Sequence, residues 1–320
     1  MDLDRMLHKC RRDQWALDAI DLSKPPRPMS KDDEIAIVQY FTDMAGIEML
    51  ASALFVEQKK RATDPRLIEI FESFVRDEVR HAQAAKTLAR HYDVHGYQTY
   101  APNPHLEKFA PAFVEAIRHL TPAIANVYIT TGEILLDVAL LRSLDDFVQD
   151  HACSTAMKLI NRDESRHIAV DFHMVEHYSS DAYIAFEKTQ PRRSLPEAVR
   201  AYSSLAKMLR HARPFFKAVF FEPMDLLDPS NKRLLEAFKR VQLLSTKPDV
   251  ARRPFVKFML TMQTLFRHPL LGALFGRWLI AIIGTDPRVI VKLYTDEEAA
   301  HAQRMSFDEM AEETLGLKYA

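Results

Sequence analysis

Apolar positions along residues 31–61 recur at helical spacing. Phe41, Met44, Ser52 and Phe55 share one stripe, and Glu48 falls in the middle of it. Residues 65–91 repeat the pattern, with Leu67, Phe71, Phe74, Glu78, His81, Ala85 and Leu88 on one face. Two further rows follow, Asn126, Thr130, Glu133, Asp137, Leu140 and Leu144 within 122–147, and Cys153, Met157, Ile160, Glu164, His167, Asp171 and Met174 within 150–178. Ser30 with Asp33, Asp64-Pro65 and Thr121-Pro122 supply start signals. The short link after residue 61 makes the first two helices antiparallel neighbours. The Tyr-, Pro-, Gly- and Asn-rich stretch 92–110 and a short helix over 105–119 form a long crossover to the second pair.

Outside these four helices the pattern loosens. Residues 3–22 predict a helical arm that Lys24-Pro25-Pro26-Arg27-Pro28 breaks. After a linker at 190–193, amphipathic segments run over about 196–220, 230–246, 250–283 and 287–315. This gives an arm (1–30), a four-helix bundle (31–180) and additional helices (181–320) packed on it as a lid or a dimer contact. The most apolar run, 254–284, is expected to be buried core or a subunit contact. Lys257, Arg267 and Arg277 interrupt it too often for a membrane span.

Composition sharpens the picture. With 7 glycines in 320 residues, 48% hydrophobic residues and little strand-type alternation, the expected fold class is all-α. A net charge of -1 with mixed signs carries no nucleic-acid footprint and no polybasic membrane surface. Two cysteines, Cys10 and Cys153, are too few for a disulfide framework. The charged N-terminus lacks the apolar run of a signal peptide, so a cytoplasmic location is expected.

The chemistry lies in Asp77-Glu78-Val79-Arg80-His81 and its near-copy Asp163-Glu164-Ser165-Arg166-His167. Glu and His three residues apart share a helix face. Each pentad follows a helix with an inward Glu, Glu48 or Glu133. The order Glu, Glu-x-x-His, Glu, Glu-x-x-His is the ligand set of four-helix di-iron and di-manganese carboxylate proteins. Four ionised carboxylates balance two divalent cations, whereas without metal each buried charge costs several kcal/mol, roughly. Glu57 or Asp43 can substitute for Glu48 in this scheme, and Asp137 for Glu133. Asp77 and Asp163 are placed to accept from the histidines in a crossed sense, Asp77 from His167 and Asp163 from His81, with Arg80 and Arg166 neutralising them. A third copy, Glu297-Glu298-Ala299-Ala300-His301, has no acid in the preceding apolar run. Thr295 before it reads as an N-cap, which makes this copy structural. His173 and His177 face other sides of their helix.

On these motifs, residues 35–180 resemble the ferritin-like di-iron carboxylate oxygenases and oxidases. The spacings of 30 from Glu48 to Glu78, 52 from His81 to Glu133 and 31 from Glu133 to Glu164 are similar to those of aldehyde-deformylating oxygenases. The extra C-terminal helices bring in the arylamine N-oxygenases. Those carry one more His a turn before the last Glu, where this chain has Ile160. The resemblance implies two irons (a manganese–iron pair being the alternative), each held by His81 or His167, a terminal Glu and shared Glu. It also implies dioxygen activation, and the apolar residues Phe41, Met44, Phe74, Val75 and Ile134 suggest a small, largely hydrophobic substrate for it. Thr130, or Thr131 beside it, is a candidate proton-handling residue, and Tyr128 a candidate radical or proton donor. Each also has a structural reading, a back-bonded helix Thr or a core Tyr. Phe41, Met44, Phe74, Val75 and Ile134 are expected to wall the pocket. Without a nucleotide, flavin or haem motif, electrons are expected from a separate reductase or ferredoxin, and the chain is expected to be a homodimer. The competing readings are a ferritin-type iron-handling protein and a metal-free helical scaffold.

Overall fold

In a computed structural model the described residues are 1–97, 100–191, 193–283 and 287–316. Among them every regular element is a helix. A first helix, α1 (Leu3–Arg12), leads by a stretch whose one regular piece is a 3-10 turn at Leu17–Ala19 to α2 (Lys31–Lys59), which Ser30 caps by accepting from the Asp33 amide at 3.1 Å. Asp64 caps α3 (Pro65–Tyr92), and Asn103 caps α4 (Pro104–His119). Thr121 caps α5 (Pro122–Ile134), which runs on through a π-helical turn, Leu135–Leu141, into α6 (Arg142–Val148). Asp150 caps α7 (His151–Ser179) by accepting from the Cys153 amide. Each cap satisfies an amide that the first helical turn leaves unpaired.

Helix α2 packs along α3 and α5 along α7, and the pairs meet through α3 against α7 and α2 against α5. Four helices thereby enclose one core, with Phe41, Phe55, Phe71, Phe74 and Phe172 fully buried. Burial of each such ring is worth roughly 1.5–3 kcal/mol. Gly46 lets α4 lie close on α2, since a Cβ there would sit 2.8 Å from Leu106 Cδ2.

The chain continues through α8 (Asp181–Thr189) and α9 (Leu195–Phe215), a second π-helical turn (Phe216–Phe221), α10 (Glu222–Leu227) and α11 (Lys232–Ser245). Then come α12 (Pro248–Ala251), α13 (Pro254–Arg267), α14 (Pro269–Ile283), α15 (Pro287–Ile290), α16 (Asp296–Arg304) and α17 (Phe307–Gly316). Helix α9 lies along α4, α11 along the first π turn, and α17 along α7. Arg192, within the expected linker, lies outside the described residues.

Three expectations change. The N-terminal arm is not one helix to residue 22. It stops at Arg12, where the Asp13 amide closes the last turn on the Lys9 carbonyl, and this leaves Gln14 and Trp15 free to turn inward. The helix over 122–147 keeps its length but not its regularity, because the π turn begins directly after Ile134. Of the two expectations for 254–284, buried core fails at Leu270, Leu274 and Trp278, each 70% exposed, although Val256 is buried; an exposed face is compatible with the other, a subunit contact, and residue 284 lies outside the described residues. Apolar composition marked the stretch correctly, but hydropathy does not say which elements come to cover it. Among the described residues one helix, Pro122–Val148, is long and apolar enough to cross a membrane, and 72% of its most apolar window is buried in the protein. It is a core helix by that measure.

Candidate metal centre

Each of the four core helices delivers its acids to one level of the bundle. Glu48 comes from α2, Glu78 and His81 from α3, Glu133 from the last turn of α5, and Glu164 and His167 from α7. All six are buried. They form two overlapping groups. In Glu48, Glu78, His81 and Glu164, one ligand atom from each residue lies within 4.8 Å of all the others, and the same holds for Glu78, Glu133, Glu164 and His167. Glu78 and Glu164 belong to both. The buried groups could hold metal ions.

The contacts inside the cluster are short. His81 Nδ1 lies 3.1 Å from Glu164, 3.7 Å from Glu78 and 3.9 Å from Glu48. His167 Nδ1 lies 3.0 Å from Glu78 and Glu164 and 3.6 Å from Glu133. Yet both Glu78 oxygens, Glu48 Oε2 and His81 Nδ1 make no well-aligned hydrogen bond. Buried carboxylate oxygens left this way are costly unless a cation takes their charge. This misfit between proximity and hydrogen bonding fits a metal-binding set.

The imidazoles turn their other nitrogens outward. His81 Nε2 lies 3.2 Å from Asp163, and His167 Nε2 lies 3.6 Å from Asp77. Both aspartates are fully buried and share the two arginines. Arg166 reaches Asp77 at 3.0 Å and Asp163 at 2.8 Å, and Arg80 reaches Asp163 at 3.0 Å and also pairs with Asp77. Two charges of each sign therefore close a ring at one end of the cluster. Trp15 completes it: its Nε1 donates to Asp163 at 2.6 Å, its ring stacks near His81, and Arg80 lies 5.0 Å from the ring centroid. Gln14 accepts from Arg80 at 2.9 Å.

Electrostatics separates the ligands. Burial pushes the Glu48 and Glu133 carboxyls well above the carboxylate range, and the charge of Glu78 on the first and Glu164 on the second adds to it. Burial alone would raise Glu164 too, but His167 and His81 hold it well below that range. Burial would lower both histidines. Asp163, Glu164 and Glu78 outweigh it at His81, and Glu164, Asp77 and Glu133 at His167, so both are well above the imidazole value. Asp77 and Asp163 sit low despite their burial because His167, His81 and Arg166 favour their charge.

The alternative acids are engaged elsewhere. Glu57 pairs with Lys60 at 2.8 Å and Arg118 at 2.9 Å, and Asp43 accepts from the Asn103 amide at 2.6 Å. Asp137 is buried one turn beyond Glu133 and belongs to neither ligand group. Thr130 is buried and accepts from Asn126 at 3.3 Å, whereas Thr131 donates to its own helix at Val127. The Tyr128 ring packs between Phe113 and Phe255. Of the expected pocket walls, Phe74 packs on His167 at 4.1 Å, Phe41 stacks on Tyr92, and Met44 lines a cavity of about 10 Å³, room for a water but not for an organic substrate. His173 and His177 lie away from the cluster, beside Glu176 and against Tyr178 and Tyr183.

Sequence reasoning missed Trp15, which comes from an irregular segment with no periodicity to place it. It also missed a chain of polar hydrogen bonds in the core: Gln58 donates to Asn126 at 3.0 Å, and Asn126 to Thr130 and to the Asp171 carbonyl. Asp171 is buried and pushed up to about 8, chiefly by that burial. Its place on the His167 stripe was visible; its neighbours were not. No protein-family model matches the chain, and no curated protein matches it. What fold and site define is therefore a class: an all-helical protein with a buried carboxylate–histidine cluster able to hold metal.

Proposed function

We propose that this chain is a ferritin-like, non-haem di-iron oxygenase or oxidase that uses dioxygen to oxidise a small, largely hydrophobic organic substrate. The observation that carries the reading is the sharing of Glu78 and Glu164 by both ligand groups. Two carboxylates common to two four-residue groups are what a pair of adjacent ions needs, and a single-ion site has no use for the second imidazole. In this reading Glu48 and His81 complete one site, and Glu133 and His167 the other. A ferrous pair would supply the electrons for dioxygen activation, with manganese–iron as the alternative pair.

The protein's own groups set the conditions for that chemistry. The Asp163 carboxylate, fixed by Trp15, Arg80 and Arg166, holds the His81 ring with Nδ1 turned to the carboxylates. Phe55 and Phe74 pack against His167 and exclude water from its side of the cluster. Thr130 Oγ accepts from the Asn126 amide and lies one turn before Glu133, and on that place in the helix the proton-handling role is assigned to it. Tyr128 is pushed up to about 12 by burial and keeps its proton at physiological pH, as the radical or proton donor assigned to it must. Re-reduction is assigned to a separate reductase or ferredoxin, and the working form to a cytoplasmic homodimer.

The test is anaerobic reconstitution with Fe(II), metal counting, and oxygen uptake with panels of amines, carboxylic acids and aldehydes. Two metals per chain and substrate-dependent oxygen consumption are expected. Less than one iron or manganese per chain after reconstitution would remove the metal reading. Iron uptake with no organic compound accelerating oxygen use would favour iron handling instead.

A further inference from the structure

Helices α13 and α14 form a hairpin packed on one another; at its base α13 meets α12 and sets Phe255 against Tyr128, and α14 touches α9. Its turn is tight: a Cβ on Gly272 would meet the Phe266 carbonyl oxygen at 2.2 Å. The outer surface carries Phe258, Met259, Leu270, Leu274, Phe275 and Trp278, all exposed. On α14, Leu270, Leu274 and Trp278 follow one another at four-residue spacing and so share one exposed stripe, the kind of apolar face that marks an interaction surface.

The charges say what it meets. Residues 254–284 contain no Asp or Glu, and Lys257, Arg267 and Arg277 are the fully charged residues of the run. Lys257, Arg267 and His268 are exposed. If a second copy covered this face through a two-fold axis, like patch would meet like patch and these cations would oppose one another. An anionic surface meets no such penalty. Helix α14 has 15 residues, about 22 Å at ~1.5 Å per residue, too short for the ~30 Å hydrocarbon core. It can lie in an interface but not span it. An exposed Trp beside aliphatic residues, with cations on the same hairpin, is the composition that settles at the headgroup level.

We infer that the α13–α14 hairpin is an interfacial anchor for a membrane surface rich in anionic lipid. The inference stands independently of the metal centre. Flotation of the full-length protein with vesicles of equal parts phosphatidylcholine and phosphatidylglycerol, against pure phosphatidylcholine vesicles, tests it. Partitioning should favour the anionic vesicles by roughly tenfold or more and fall as salt is added. Leu274→Glu and Trp278→Glu should each abolish flotation while leaving helical circular dichroism and metal content unchanged. Should those variants fold poorly, a Trp15→Phe protein leaves Trp278 as the single indole. Its emission should shift to the blue on adding anionic vesicles, and brominated lipid should quench it. No flotation and no Trp278 shift would overturn the proposal. So would a wild-type dimer that Trp278→Glu converts to monomer with no lipid binding in either form, since the face would then belong to a second copy.

Discussion

Glu-x-x-His occurs in α3, in α7 and in α16, and the three copies end in opposite surroundings. In α3 and α7 both residues are buried, and each Glu lies against both imidazoles or against acids from the neighbouring helices. In α16, Glu298 sits in the first turn. It accepts from the Thr295 amide at 2.8 Å while the Thr295 hydroxyl accepts from the Glu298 amide at 3.1 Å, and His301 is 60% exposed. The same letters make a candidate ligand pair in one place and a capping box in the other. What differs is the partner acid on the preceding helix and the loss of water around the pair. A carboxylate inside a bundle must find a counter-charge, whereas one at a helix N-terminus is already favoured by solvent and by the unpaired amides.

The largest effect should come from the shared acids. Glu78→Ala or Glu164→Ala removes a group common to both sites, so each variant should lose at least one metal per chain, with helicity largely kept. Metal analysis after reconstitution, paired with far-ultraviolet circular dichroism, checks this. If both variants retained two metals, the assignment of ligands would be wrong. Next in size are the aspartates behind the histidines. Asp163 contacts His81 at 3.2 Å and also holds Trp15, while Asp77 stands 3.6 Å from His167. Asp163→Asn should therefore weaken metal binding more than Asp77→Asn, by about 10–100-fold. Either change unbalances a buried ring of two aspartates and two arginines, and a stability loss of roughly 3–5 kcal/mol should follow. Metal titration separates the two aspartates; thermal melts report the ring.

The pH dependence has a definite sign. In the metal-free protein Glu48, Glu133, His81 and His167 all have raised proton affinity, the carboxyls chiefly through burial and the imidazoles through their acidic neighbours. These groups hold protons that a cation must displace, so metal affinity should climb as pH rises through and above the ordinary imidazole range, with protons released on binding. Competition titrations across that range, with proton release followed in weak buffer, measure it. A flat profile would mean the six groups are not the ligands. No corresponding dependence is expected from Glu298, whose carboxyl is held low by the Thr295 amide and Lys239.

How much of this was readable beforehand follows from what a helical period can encode. Spacing reports which side chains share a face, so Glu48, Glu78, His81, Glu133, Glu164 and His167 could be chosen as inward-facing from their stripes, and start signals placed the four core helices closely. A period does not report which helix comes to lie opposite. That is why Trp15, reaching Asp163 from an irregular segment 148 positions away, left no trace in the sequence. It is also why the docking of α17 on α7 was legible only as an additional helix. The π turn after Ile134 was invisible because Leu135–Leu141 reads as ordinary apolar helix; propensity scales do not separate the two hydrogen-bond patterns. The α13–α14 hairpin shows the converse limit. Its apolar character was plain, but burial depends on neighbours, and none covers its outer face among the described residues.

The smallest effect sharpens the comparison most. His301→Ala should leave metal content and oxygen uptake at wild-type levels, because its side chain is mostly in water and its nearest acid, Glu313, stands at 3.8 Å. Glu298→Ala should also leave metal content untouched but cost about 1 kcal/mol, the usual range for losing half of a capping box at a short helix. Its 3.0 Å pair with Lys239 adds little, being partly exposed. Urea melts of the metal-free protein would register that loss as a lowered midpoint with an unchanged slope. If Glu298→Ala or His301→Ala instead lowered the metal count, burial and partner acids would not be what distinguishes the three copies. The reading of Glu78 and Glu164 as shared ligands would then lose its physical basis, since it rests on that same distinction.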